Sequence, residues 1–273
     1  MLNVSSKPAP PAAQPPAVSL LDKQPTPTYK WGVFPAVLVI LVSFALLPLI
    51  AQITINYVPS ILGWDSRRAS QWSSHSALAN FLYVLMAEAL TSGFLAWFIY
   101  KKKASFWRVV ALRRPQWLDV GYALLGALCY VGIFIVLVQV ISAILPLDAT
   151  KQQAIGFDKH SGGIDLLLAF VSLAILPPIV EEMVFRGFFY GTLRARNIGA
   201  GLSILITSLV FGTLHLFGAG DGSLLWIAFI DTFVLSLVLC YIREKTGSIW
   251  ATMLLHALKN GFVFVNLFIL GAR

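Results

Sequence analysis

The chain has 273 residues, of which 58% are hydrophobic and only 12% are charged, and its formal net charge is +8. Soluble domains carry about 25% charged residues, so a water-facing surface cannot be built around this much apolar mass. The composition therefore excludes an ordinary soluble domain and predicts that the lipid bilayer is the main partner of the chain. The basic residues fall in short connections between apolar runs, which argues against nucleic acid as a partner.

The N-terminal segment differs from the rest of the chain. Residues 1–29 hold seven of the fourteen prolines, together with scattered Ala, Gln and Ser. Such a segment cannot bury enough apolar surface to fold, so we expect a disordered, Pro-rich cytoplasmic tail. The membrane domain is then expected to cover residues 30–273.

The rest of the chain is a series of apolar runs that are long enough to cross a bilayer. These runs predict an all-α transmembrane helix bundle of about seven membrane helices. Pro177 and Pro178 remove two backbone donors from the fourth run, and a break there would make eight elements. The expected boundaries are Trp31–Val58, Ala77–Tyr100, Val120–Leu145, Ile164–Leu193, Ala200–Phe217, Leu224–Ile242 and Ile249–Leu270.

The charges of the connections predict the orientation. The second connection, residues 101–116, has six basic residues and no acidic one, and the fourth and sixth are also basic. The connections between them are balanced or acidic, apart from a mild basic excess in the first. Since basic loops remain in the cytoplasm, we expect the N-terminus inside and the C-terminus outside. The chain is predicted to be a multi-pass protein of a bacterial inner membrane.

Ionisable and polar side chains inside predicted spans are the candidate functional residues. A charged side chain is costly in hydrocarbon, so each one is a functional hypothesis by default. The candidates are Glu88, Glu181, Glu182, Arg186, His215, Asp231, His256, Lys259 and the polar Asn260.

Four of these candidates are expected to lie at overlapping depths in the membrane. Counted from the cytoplasmic end of each span, Glu181 and His215 lie about 20 and 22 Å deep. His256 and Asn260 lie about 12 and 18 Å deep on the same helix face, four residues apart. We therefore expect one polar cluster that three separate spans build.

The charges next to this cluster have a separate expected role. Glu182 and Arg186 are four residues apart, so they share a helix face and can pair as a supporting group. Glu181 points about 100° away from Glu182 and can face a different cavity. Asp231 and Lys259 lie at similar predicted depths and are hypothesised to form a second ion pair.

The cluster has the residue types that hydrolysis requires. A carboxylate in a low-dielectric site can act as a general base on water, which gives Glu181 that role with His215 beside it. His256 and Asn260 can donate hydrogen bonds to an oxyanion, which is typically the largest catalytic contribution.

Three motifs in chain order resemble those of the CPBP family of intramembrane proteases, which includes CAAX-processing endopeptidases and bacteriocin-processing or immunity proteins. They are Glu181-Glu182-x-x-x-Arg186, Phe211-x-x-x-His215 and His256-x-x-x-Asn260, and the protease-like core covers about residues 164–270. The resemblance implies an intramembrane endopeptidase in which Glu181 and His215 activate water. It implies His256 and Asn260 as oxyanion stabilisers and a membrane-associated peptide or lipidated protein as substrate.

Two alternatives remain open from the residues. Glu181, His215 and His256 could instead hold zinc, although no His-Glu-x-x-His motif is present, and we expect no cofactor. The chain could also be a non-enzymatic scaffold, an immunity protein or a transporter, since intramembrane acids serve pumps as well as enzymes.

Overall fold

The computed structural model describes residues 31–145, 147–148, 151, 153–160, 162–218 and 222–271, so the predicted tail at residues 1–29 lies outside the described residues. Over these residues the chain is built from helices. In chain order they are α1 (Val33–Ile61), α2 (Ser66–His75), α3 (Ala77–Lys101), α4 (Phe106–Val109), α5 (Trp117–Ser142), α6 (Gly163–Ala195), α7 (Ala200–Leu214), α8 (Trp226–Thr246) and α9 (Trp250–Leu270).

The predicted all-α membrane bundle is confirmed. Among the described residues, six helices are long and apolar enough to cross a membrane, and α7 is a shorter apolar helix between them. These seven elements fall at the seven predicted spans. The protein is therefore an integral membrane protein with a polytopic helical bundle.

The fifth span is shorter than the sequence predicts. The apolar run continues to Phe217, but α7 ends at Leu214 and has 15 residues. At a rise of 1.5 Å per residue it is about 22 Å long, which is less than the hydrocarbon thickness of about 30 Å. His215 consequently lies just beyond the end of α7, where an apolar count alone would have continued the helix.

The proline pair distorts α6 without dividing it. The helix is continuous from Gly163 to Ala195, and a π-helical segment, Val171–Ile175, lies directly before the prolines. Pro177 and Pro178 have no N–H to donate, so the carbonyls one turn earlier lose their usual partners. The widened π turn absorbs this mismatch, and the eighth element that the prolines could have created does not form.

Two short helices were not predicted. Helix α2 begins after Asp65, whose side chain accepts a hydrogen bond of 2.9 Å from the Arg68 N–H and thereby caps the helix. Helix α4 is a single turn after the basic end of α3. Helix α2 is too polar, and α4 is too short, to appear in the hydropathy pattern that reveals membrane spans.

The largest apolar core lies at the end of α6 that faces α4. Every residue from 182 to 193 is buried there. Phe185, Phe188 and Phe189 form its centre, and Val110 packs against them. At Gly187 the backbone of α6 and the segment after α4 lie so close together that a Cβ would be 2.6 Å from the Cα of Val110. Only glycine fits this contact, because the nearest atoms belong to backbone that cannot move aside.

We expect Gly187→Ala to destabilise the protein by about 1–3 kcal/mol, the usual range for an overpacked core. Thermal unfolding in detergent measures the effect. The control is Gly132→Ala in α5, where an added Cβ meets nothing within 4 Å. Equal unfolding temperatures for the two variants would contradict the tight contact.

Candidate active site

Glu182 is the central charge of the site. Its side chain is fully buried, and Oε1 accepts a hydrogen bond of 2.7 Å from Nη1 of Arg186, which is also fully buried. The same oxygen lies 2.9 Å from Nδ1 of His256. A buried carboxylate is costly unless it is paired and hydrogen-bonded, and here one oxygen atom joins α6 to α9. The predicted pairing of Glu182 with Arg186 is present, and the link to His256 is an addition.

The contact with Glu182 fixes the tautomer of His256. A carboxylate only accepts hydrogen bonds, so Nδ1 of His256 must be the donor. In a neutral ring Nε2 then has no proton and is an acceptor. Nε2 lies 3.8 Å from Oε2 of Glu181. This distance is too long for a direct hydrogen bond, and it allows one small group to contact both atoms.

Glu181 faces a cavity, whereas Glu182 does not. The cavity has a volume of about 170 Å³, and its lining brings together the candidate residues Glu181, His215, His256 and Asn260. The predicted divergence of the two adjacent glutamates is therefore correct. Oε2 of Glu181 is buried and has no hydrogen-bond partner among the described residues. Buried polar atoms are nearly always paired. Oε2 of Glu182 also has no partner among the described residues, so what distinguishes Glu181 is that its side chain lines the cavity.

His215 enters the cavity from the end of α7. Its Nδ1 lies 2.9 Å from the carbonyl oxygen of Phe211, which accepts the N–H and leaves Nε2 as the acceptor in a neutral ring. The Phe211 ring packs between the two imidazoles, with centroid distances of 4.7 Å to His215 and 5.9 Å to His256. Cζ of Arg186 lies 4.4 Å from the centre of the same ring. Phe211 thus sets the spacing of the histidines by packing.

Asn260 is positioned by the distorted part of α6. Its Nδ2 donates a hydrogen bond of 3.1 Å to the carbonyl oxygen of Leu173. Leu173 is four residues before Pro177, which cannot donate the usual helical hydrogen bond to that carbonyl. The proline therefore creates the acceptor that holds the Asn260 amide, and one N–H of the amide remains for the cavity.

A second ion pair lies in the same cavity. Nζ of Lys259 is 2.7 Å from Oδ2 of Asp231, as the depth argument predicts. The hydroxyl of Tyr130 in α5 donates to the other oxygen, Oδ1, so both oxygens of Asp231 are engaged. Nothing in the sequence pointed to Tyr130, because a tyrosine in an apolar run gives no periodic or charge signal.

The zinc alternative concerns the arrangement of Glu181, His215 and His256. Among the described residues, no three His, Cys, Asp or Glu side chains are grouped so that they could hold one metal ion. Nδ1 of His256 is engaged by Glu182, and Nδ1 of His215 is engaged by Phe211. These contacts orient the two imidazoles and leave Nε2 of each neutral ring as its acceptor atom.

The fold and the site together define a polytopic helical membrane protein with a buried acid–histidine cavity in its C-terminal half. Residues 163–262 match the sequence model of a family described as Rce1-like, type II CAAX prenyl endopeptidase. The match confirms the resemblance to CPBP intramembrane proteases that the three motifs indicated, and it spans all three of them. No solved structure matches the chain.

One curated relative matches a segment of this chain. It is an uncharacterized 24.3 kDa protein of Escherichia coli, 32% identical over 93 residues. The aligned segment is 34% of this chain and 41% of that protein, so the chain spans less than half of the relative's length.

We expect Glu182→Gln to destabilise the fold by about 3–5 kcal/mol, because it leaves the buried Arg186 cation without its counter-charge. The adjacent Glu181→Gln is the matched control. It removes no hydrogen bond among the described residues, so the change should be below about 1 kcal/mol. Chemical or thermal unfolding in detergent compares the two, and a larger effect at Glu181 would contradict this assignment.

We expect Asp231 and Lys259 to be coupled in stability. Lys259→Met leaves a half-buried acid and Asp231→Asn leaves a half-buried ammonium, whereas the double variant removes both charges. A double-mutant cycle should therefore give a coupling of about 1–3 kcal/mol. Additive effects, within about 0.5 kcal/mol, would mean that the pair contributes nothing to the fold.

Proposed function

We propose that the protein is an intramembrane endopeptidase in which Glu181 activates the attacking water. One observation carries the proposal: the unpaired, buried Oε2 of Glu181 faces His256 across 3.8 Å, in a cavity that His215 and Asn260 also line. The match of residues 163–262 to a family of endopeptidases supports the same reaction class.

The first step is deprotonation of water by the Glu181 carboxylate. The Nε2 atom of His215 is an acceptor in the neutral ring, so it can hold the second hydrogen of that water and orient its lone pair. The water oxygen then forms a bond to the carbonyl carbon of the scissile peptide. The proton lies on Glu181 and the negative charge lies on the former carbonyl oxygen.

The oxyanion needs donors at the moment when its charge develops. Asn260 offers the N–H that Leu173 does not engage. His256 can donate from Nε2 only when its ring carries a second proton, since the first, on Nδ1, is directed at Glu182. The Glu181 carboxyl, 3.8 Å away, is the proton source within the site. The buried Glu182 holds the imidazole in place throughout.

Collapse of the tetrahedral intermediate completes the reaction. The C–N bond breaks, and the leaving amine takes the proton that Glu181 or His256 received from water. The products are a carboxylic acid and an amine, so no electron donor or acceptor is needed. The substrate that suits a site within a membrane bundle is a membrane-associated peptide or lipidated protein, and we place the enzyme in a bacterial inner membrane.

The test is cleavage of membrane-tethered peptides by the detergent-purified protein. We expect Glu181→Gln to lower the cleavage rate by at least about 10²-fold, the usual contribution of a general base. Unfolding temperature should stay near that of the wild type, which separates chemistry from folding. Activity that persists in Glu181→Gln would contradict the proposal, and loss on chelation with rescue by zinc would favour the metal alternative.

The chain offers a matched pair for the oxyanion role. Asn260→Ala should lower the rate by about 10²-fold, as loss of one oxyanion donor does elsewhere. Asn266→Ala is the control, because Asn266 lies on the same helix, is exposed, and its side chain bonds only to the carbonyl of Phe262 among the described contacts. If both changes reduce cleavage equally, Asn260 has no special role.

A further inference from the structure

The cavity is built from helix ends that lie on one side of the bundle. Gln153 and Ile155, in the connection before α6, line it, and so does His215 at the end of α7. Ala228 in the first turn of α8 and Leu267 near the end of α9 complete that side. Because successive spans run in opposite directions, these positions share one face, which we call the open face. Gln153 is itself exposed.

The opposite side of the bundle is closed by direct contacts. We call it the basic face, and it contains the connections at residues 102–116, 196–199 and 247–249. The Ile249 N–H donates to the Ala111 carbonyl at 3.3 Å, and Trp250 Nε1 donates to the Arg113 carbonyl at 2.5 Å. These bonds tie the segment after α4 to the start of α9.

An ion pair and an aromatic core extend this closure. Nη2 of Arg194 lies 2.9 Å from Oε1 of Glu244, and the hydroxyl of Tyr190 donates to Glu244 at 2.5 Å. Beneath them every residue from 182 to 193 is buried, and Gly187 is in contact with Val110. A peptide that passed directly through the basic face toward Glu181 would have to break these contacts.

The two faces also differ in charge. The connections of the basic face, residues 102–116, 196–199 and 247–249, carry six Lys or Arg and no acidic residue. The connections of the open face, residues 62–76, 143–162 and 215–225, carry four basic and four acidic residues. Short loops rich in Lys and Arg stay in the cytoplasm, so the basic face is expected inside and the open face outside.

We propose that the cavity is entered from the outer side of the membrane. The substrate is then a peptide segment presented at the extracytoplasmic surface by an exported or membrane-anchored protein, and not the cytoplasmic tail of a lipidated one. The identity of this substrate rests on the proposed function, that of an endopeptidase. The route of access itself depends only on the closed basic face, the open face and the charge difference between them.

Cysteine labelling in intact bacterial cells tests the route without any cleavage. The background variant is Cys129→Ser, Cys240→Ala, which removes both native cysteines. Single cysteines are then placed at Gln153 on the open face, at Ala228 in the cavity wall and at the exposed Ser105 on the basic face. None of these substitutions changes the charge of a connection, so orientation is not disturbed.

A small membrane-impermeant thiosulfonate should label Gln153→Cys and Ala228→Cys in intact cells. Ser105→Cys should react at least about 10-fold more slowly until the membrane is permeabilised. Everted membrane vesicles should show the reverse order. Labelling of Ser105→Cys in intact cells would overturn the orientation. Failure of Ala228→Cys to react from the open-face side would overturn the route of access.

A second arm separates the failure of this inference from the failure of the proposed function. Reporter peptides are tethered to the membrane with the cleavable segment either outside or inside, and cells with wild-type protein are compared with Glu181→Gln. Cleavage that depends on Glu181 is expected only for the outside reporter. Cleavage of the inside reporter alone overturns the inference, whereas no Glu181-dependent cleavage of either reporter counts against the protease and leaves the labelling result standing.

Discussion

The structure depends on how one buried carboxylate, that of Glu182, is neutralised inside an apolar bundle. Oε1 of Glu182 accepts hydrogen bonds from Arg186 and His256, and the Arg186 guanidinium in turn lies over the Phe211 ring. A charge at this depth is tolerated only when its partners are close and well oriented. The same contacts therefore fix the positions of α6, α7 and α9 relative to one another, and they set the tautomer of His256.

Irregular helix geometry supplies the rest of the site. The π-helical segment before Pro177 and the missing proline N–H free the carbonyl of Leu173, which then holds Asn260. A second π-helical segment, Met183–Phe189, follows Glu182. Such bulges are rare in proteins, and many of them lie at functional sites. In this protein they aim polar groups at the cavity while the membrane helix remains continuous.

The bundle is asymmetric across the membrane. On one side short basic connections, an ion pair at Glu244 and tight aromatic packing close the structure. On the other side the short helix α7 leaves His215 at a helix end, and the pair of Asp231 and Lys259 keeps charged groups beside the cavity. Two half-buried ions need a polar surrounding, and their presence indicates a part of the bundle that water can reach.

Sequence alone determined the membrane bundle, its seven elements and the group of candidate residues, because hydropathy and four-residue spacing are local properties that a helix turns directly into geometry. It also separated Glu181 from Glu182, which lie on different faces of one helix. The tertiary structure decided what depends on distant segments: the end of α7 before His215, the shared oxygen of Glu182, the Leu173 carbonyl that holds Asn260, and the Tyr130 hydroxyl on Asp231. These contacts join residues far apart in the chain, and their distances follow from how the helices pack.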